Sequence, residues 1–77
     1  MAKLIKGWAD LAKVEPSDKY YLDITPENGN GWVMNKETGK SERYLSTHTF
    51  YGLNHEISTK KLQEYGFDVV IENWDAD

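Results

Sequence analysis

Apolar side chains recur at every second position over residues 19–25 and again over residues 67–72, which predicts a half-buried β-strand at each place, the second ending near Trp74. The apolar sides of these two strands carry Tyr20, Leu22, Ile24, Phe67, Val69 and Ile71. Residues 32–35 and residues 41–50 are predicted to form two further strands. One face of the longer strand is expected to carry Tyr44, Ser46, His48 and Phe50.

Two short segments rich in glycine and asparagine separate the first three of these strands. Residues 26–31 contain two Asn-Gly pairs, and residues 36–40 contain Gly39. Both residue types tolerate the positive φ angles that tight hairpin turns require. The sequence therefore predicts three antiparallel strands joined as a meander.

Two short helices are predicted on either side of the meander. The first should span residues 8–13, after an extended start over residues 3–6. The second should span residues 59–65, with Ser58 as its N-cap and Gly66 in a left-handed conformation just beyond its end. Because the second helix has only about two turns, it must depend on packing for its stability.

These elements predict an α+β fold with two layers, in which two short helices pack on one face of the meander and a C-terminal strand. A chain of 77 residues has room for one hydrophobic core, so we expect a single domain over residues 1–77. With 13 % aromatic residues, much of that core must come from aromatic rings.

The net charge of -4 is concentrated in the last third of the chain. Residues 53–77 hold six carboxylates against two lysines, and no basic side chain follows Lys61. Affinity for nucleic acid comes largely from lysine and arginine contacts to phosphates. Direct binding of DNA or RNA is therefore disfavoured.

The composition also argues against several kinds of chemistry. The chain has no cysteine, which excludes a disulfide scaffold, a thiolate zinc site and an iron–sulfur cluster. No stretch approaches the roughly 18 apolar residues that cross a bilayer. We therefore expect a cytoplasmic protein without membrane contact.

Two constellations could carry chemistry, and both are weak. His48 and His55 lie seven residues apart with Glu56 beside the second, whereas metal-binding histidine pairs usually lie closer together. Ser46 and His48 lie two residues apart on a strand with no third orienting group. We predict that the protein is not an enzyme and that it holds no metal or cofactor.

The C-terminal segment has the composition of a protein-binding surface. Trp74 offers a large apolar anchor that Glu72 and Asp75 surround with negative charge, and Tyr51 is a further candidate for contact. This composition suits another protein with a basic surface as the partner. The competing interpretation is that Trp74 folds back as a lid on the core.

A second hypothesis assigns the function to the sheet face. Its residues would be Trp32, Tyr44, His48 and Phe50, which could stack single-stranded nucleic acid or a small aromatic ligand. The competing interpretation is that these rings form the core. A third hypothesis is a homodimer that pairs through an open strand edge.

Small size, acidity and the lack of catalytic motifs are typical of small binding or inhibitory proteins carried by phages and other mobile elements. On this basis, the leading prediction is a non-enzymatic protein-binding domain with an inhibitory or regulatory role.

Overall fold

Five strands, two α-helices and one 3-10 helix make up residues 2–74, the part of the chain that the computed structural model describes. In chain order they are β1 (Lys3–Ile5), α1 (Trp8–Ala12), β2 (Tyr20–Thr25), β3 (Asn30–Asn35), β4 (Ser41–Ser46), the 3-10 helix (Thr47–Phe50), α2 (Asn54–Glu64) and β5 (Val69–Ile71). The predicted α+β class is confirmed.

Strands β2, β3 and β4 form the predicted antiparallel meander. Its two turns use glycines in the left-handed region, Gly29 with φ +66° and Gly39 with φ +71°. In the second turn, the Gly39 N–H donates to the carbonyl oxygen of Asn35 over 2.9 Å. The Asn35 side chain also accepts a 2.8 Å hydrogen bond from the Glu37 N–H, which stabilises the reversal locally.

Strands β1 and β5 form a separate parallel pair, with Ile5 opposite Ile71. The sequence led us to expect all the strands in one layer, but β5 pairs with β1 instead of with the meander. Helix α1 packs against β1 and β2, whereas α2 packs against β5 and the 3-10 helix.

Side chains of α2 cover the other edge of β5. His55, Thr59 and Gln63 lie four residues apart, so they share one face of the helix. The His55 Nδ1–H donates to Ile71 O over 3.0 Å, and the Ile71 N–H donates to Thr59 Oγ1 over 2.9 Å. Gln63 Nε2 donates to Val69 O over 3.1 Å. These bonds satisfy backbone groups that would otherwise be open to another strand.

The predicted strand over residues 41–50 is wrong beyond Ser46, where the 3-10 helix begins. The cause is a capping box: the Ser46 N–H donates to Thr49 Oγ1 over 3.0 Å, and the two hydroxyl oxygens lie 3.4 Å apart. His48 and Phe50 therefore do not share a strand face with Tyr44.

Helix α2 begins at Asn54, five residues before its predicted start. Ser58, predicted as the N-cap, lies inside the helix and is 2 % exposed. Its hydroxyl donates a 2.6 Å hydrogen bond to the Thr49 carbonyl oxygen. In the sequence, Ser58 resembles an N-cap because it precedes an apolar run. Its buried position is explained by its hydrogen-bond partner, the Thr49 carbonyl oxygen of the 3-10 helix.

The end of α2 matches the prediction. Gly66 has φ +96°, and its N–H donates to Gln63 O over 3.0 Å. The Phe67 N–H donates to Leu62 O, also over 3.0 Å, which completes a Schellman motif. Leu62 and Phe67 are both buried, so this local ending also directs the chain back into the core.

The hydrophobic core draws on every strand except β2, on both α-helices and on the 3-10 helix. Its buried members are Ile5, Leu11, Val33, Leu45, Phe50, Leu62, Phe67, Val69 and Ile71. Partly buried apolar residues surround this cluster, including Leu22 and Ile24 of β2. One side of the meander therefore faces the core.

Candidate functional site

One group of aromatic rings, which we call the inner aromatic cluster, consists of Trp8, Phe50 and Trp74. The Phe50 ring lies 4.3 Å from the Trp74 ring and 5.5 Å from the Trp8 ring, measured between centroids. The two indoles are 5.2 Å apart in an edge-to-face arrangement. Because Phe50 is completely buried, the cluster belongs to the core.

Hydrogen bonds hold Trp74 in the inner aromatic cluster. Its indole N–H donates to Ile5 O over 3.2 Å, and its backbone N–H donates to Phe50 O over 3.2 Å. A buried tryptophan usually needs such a partner for its N–H. These contacts favour the interpretation of Trp74 as a lid on the core over its interpretation as a free anchor.

Of the other predicted contact residues, Tyr51 lies beside the Trp74 segment, because its neighbours Phe50 and Gly52 bond to Trp74 and Asn73. Glu72 and Tyr51 are exposed, and Asp75 lies outside the described residues. With its indole held in the core, Trp74 offers these neighbours only the exposed part of its ring. Trp74 is therefore not the free apolar anchor that the sequence predicted between these acidic side chains.

A second group of residues lies on the side of the meander that faces away from the core. We call it the outer face; its members are Tyr21, Trp32, Met34 and Tyr44. Strand register places Tyr21 opposite Met34 and Trp32 opposite Tyr44. The Trp32 and Tyr44 ring centroids are 5.3 Å apart. Tyr44 is 54 % exposed and Tyr21 37 %, so the outer face is open to solvent.

The alternation of the strands explains why these residues come together. Val33 and Leu45 point into the core and are at most 1 % exposed, so their neighbours Trp32 and Tyr44 must point the other way. The Asn-Gly turn between β2 and β3 sets the register that aligns the rings. Backbone pairing therefore brings the side chains of the outer face together.

Among the outward-pointing positions of β2 and β3, the outer face carries a single charge, the carboxylate of Asp23. It lies directly opposite Trp32 in the register of β2 and β3. Lys19 and Lys36 lie just beyond the ends of these strands, and the Lys36 ammonium donates to Ser17 O over 2.7 Å. The centre of the outer face is therefore aromatic with one negative charge.

The structure divides the four residues of the predicted ligand face. Trp32 and Tyr44 lie side by side, whereas Phe50 is buried and His48 lies on the 3-10 helix, so these two do not share the sheet face with them. Sequence reasoning missed Tyr21 and Met34. The signal for Tyr21 was present, because alternation puts it on the side opposite to Leu22.

The weak catalytic and metal constellations do not assemble. The Ser46 hydroxyl lies next to Thr49 Oγ1 in the capping box, and His55 Nδ1 is bonded to Ile71 O. Within residues 2–74, no three histidine, aspartate or glutamate side chains converge on a point where a metal ion could bind. The helices of this part of the chain are also too short and too polar to span a membrane.

In comparisons with known proteins, no family model, no curated protein and no solved structure matches this chain. The function must therefore be argued from the residues themselves.

Proposed function

We propose that this chain is a non-enzymatic protein-binding domain whose contact surface is the outer face. The observation that carries the proposal is the contact between half-buried Trp32 and exposed Tyr44 at the centre of the meander. Tryptophan, tyrosine and methionine are enriched in protein interfaces, and tryptophan and tyrosine dominate their binding energy. The supporting strands are held in register by backbone pairing, and such preorganisation lowers the entropy lost on binding.

Asp23 indicates the chemistry of the partner. A lysine or arginine side chain can lie over an aromatic ring and pair with a neighbouring carboxylate at the same time. Asp23 and Trp32 offer these two contacts side by side on adjacent strands. The partner is therefore a protein that presents a basic side chain beside an apolar one.

The alternative is binding of single-stranded nucleic acid or a small aromatic ligand on the same rings. Nucleic-acid platforms combine aromatic residues with lysine and arginine that neutralise phosphates. The strand positions of the outer face carry no basic residue, and Asp23 would repel a phosphate. These charges support a protein partner over nucleic acid.

The biological role that fits a binding domain of this kind is inhibition or regulation of its partner. A small domain that only binds can inhibit or regulate its partner, as small proteins of phages and mobile elements do. We place this role in the cytoplasm, because small exported domains typically rely on disulfides and this chain has no cysteine.

The test is capture of the partner with matched variants. The tagged protein is incubated gently with a cytosolic extract of its host, and complexes are weighed by native mass spectrometry. A stoichiometric complex with a basic protein is expected, and both Trp32→Ala and Asp23→Asn should weaken it. Leu4→Ala, at a 48 % exposed position on β1 and outside the meander, is the control and should leave the complex unchanged.

Two results would contradict the proposal. One is a complex that survives both Trp32→Ala and Tyr44→Ala, which would place the contact elsewhere. The other is strong quenching of tryptophan fluorescence by oligonucleotides at low salt that is lost with Trp32→Ala, which would favour the nucleic-acid alternative.

A further inference from the structure

A polar groove lies apart from the outer face, where the end of β4, the 3-10 helix and the first turns of α2 meet. Its volume is about 260 Å³. The residues that line it are Arg43, Ser46, His48, Thr49, Asn54, Ile57 and Ser58. None of them is acidic, although the chain as a whole has a net charge of -4.

Arg43 gives this groove its permanent positive charge and is the only arginine in the sequence. It is half-buried and lies opposite Val33 in the register of β3 and β4, which directs it to the inner side of the sheet. Its guanidinium makes no hydrogen bond or ion pair with any residue between 2 and 74. A partly desolvated guanidinium without an acceptor favours an anionic ligand.

Two carbonyl oxygens of the residues that line the groove accept hydrogen bonds from other residues. The His48 carbonyl oxygen accepts a 3.0 Å bond from Asn54 Nδ2, and the Thr49 carbonyl oxygen accepts the 2.6 Å bond from Ser58. Neither of these bonds comes from Arg43, so its guanidinium N–H groups remain available to an anionic ligand.

An apolar ridge borders the groove on α2. Ile57 lines the groove and is 52 % exposed, and Leu53, one helical turn earlier, is also exposed. Leu53 comes just before α2 but has helical backbone angles, φ -67° and ψ -18°, and it lies four residues before Ile57, so the two side chains lie on the same side of the helix. A ligand whose anionic group reaches Arg43 could therefore place an apolar group on this ridge.

We propose that the groove binds the carboxylate of an acidic peptide whose neighbouring apolar side chain lies on Ile57 and Leu53. The planar fork of Arg43 matches the two oxygens of a carboxylate. With one guanidinium as its only permanent positive charge, the groove suits this singly charged group better than a phosphate dianion. The site is separate from the outer face and does not depend on its function.

The test is a titration followed by the backbone amide NMR signals of the whole chain. The probe is the tripeptide Leu-Glu-Leu, acetylated and amidated so that glutamate holds its only charge. Saturable shifts are expected around the 3-10 helix and the first turn of α2. The Leu-Gln-Leu peptide should bind about tenfold more weakly or worse, because it lacks the carboxylate.

Two variants assign the effect to Arg43. Arg43→Met keeps an apolar stem and should weaken binding of Leu-Glu-Leu by about tenfold or more. Lys40→Met removes the same charge from an exposed turn outside the groove and should leave binding unchanged. A thermal unfolding curve for each variant shows that the fold is retained, and Arg43→Lys, which keeps the charge but loses the fork, gives intermediate binding.

Three results would overturn the proposal. Equal binding of the glutamate and glutamine peptides would show that no carboxylate is recognised. Equal binding to the wild type and to a folded Arg43→Met variant would remove Arg43 from the site. Tighter binding of inorganic phosphate than of Leu-Glu-Leu at the same amides would assign the groove to phosphate.

Discussion

The inner aromatic cluster and the outer face each contain a tryptophan in contact with another ring, at almost the same spacing. The Trp8 and Trp74 centroids are 5.2 Å apart, and those of Trp32 and Tyr44 are 5.3 Å apart. Their surroundings differ. The Trp74 indole donates to a buried backbone carbonyl, whereas the Trp32 indole makes no hydrogen bond with any residue in the described part of the chain. Ring spacing alone therefore does not distinguish a structural tryptophan from an available one.

The two groups also differ in what they connect. The inner aromatic cluster joins Trp8, Phe50 and Trp74, which are far apart in the sequence, and Trp74 also bonds to β1. The outer face joins neighbouring strands of one meander, which the backbone already holds in register. Loss of a ring should therefore destabilise the fold strongly in the first case and affect mainly binding in the second.

The largest effect is expected from Trp74→Ala, which removes a ring and a hydrogen bond from the inner aromatic cluster. We expect the free energy of unfolding to fall by about 3 kcal/mol, toward the lower end for such truncations because Trp74 is only partly buried. Urea denaturation followed by circular dichroism measures this. Tyr51→Ala, an exposed aromatic position nearby, is the control. A loss below about 1 kcal/mol would make Trp74 available for binding after all.

Gly31→Ala tests the inner side of the meander and should cost about 2 kcal/mol. A methyl group at this position would collide with the Ile24 side chain and crowd the Asp23 carbonyl oxygen. Asn30→Ala, the neighbouring position on the outer side, should change stability by less than about 0.5 kcal/mol. Equal losses of stability for the two variants in thermal unfolding would contradict the proposed difference between the inner and outer sides of the meander.

Ser58→Ala should destabilise the protein by about 1 to 2 kcal/mol, because it leaves the Thr49 carbonyl oxygen without its buried donor. This bond holds α2 to the 3-10 helix that carries Phe50 into the inner aromatic cluster. Chemical denaturation of Ser58→Ala beside Ser41→Ala, at an exposed position, measures the effect. An unchanged midpoint for Ser58→Ala would mean that this bond does not support the cluster.

The smallest effect on stability is expected on the outer face. Trp32→Ala and Tyr44→Ala should each cost about 1 kcal/mol or less, which is typical of cross-strand pairs on an open sheet. A double-mutant cycle should give a coupling energy of about 0.5 to 1 kcal/mol for the two rings. A cost for Trp32→Ala as large as that for Trp74→Ala would show that Trp32 is structural and would weaken the proposed contact surface.

Part of the candidate site could be derived from the sequence. Alternation and the Asn-Gly turn place Trp32 on a strand of the meander, and Tyr44 follows on the next strand. The predicted strand was wrongly continued to Phe50, because the capping box of Ser46 and Thr49 ends it at Ser46. Capping residues such as Ser46 and Thr49 can be recognised in the sequence. Whether the chain continues as a strand or turns into a helix at that point depends on the tertiary contacts of the residues that follow.

The groove at Arg43 could not be derived from the sequence at all. It requires β4 and α2 to meet at positions 14 residues apart, Arg43 and Ile57. It also requires the buried Ser58 to hold the 3-10 helix in place. Neither the spacing nor the residue types indicate this meeting, because it depends on how separate elements pack.

The sequence by itself determined the features that depend on a few adjacent residues. Gly29 and Gly39 turn the meander, and Gly66 ends α2, because glycine adopts positive φ at little cost. The tertiary structure decided the rest: that β5 pairs with β1, and that Trp74 belongs to the core while Trp32 faces outward. These outcomes depend on contacts between distant segments, where nearly equal local preferences are resolved only by the burial and hydrogen bonds of the folded chain.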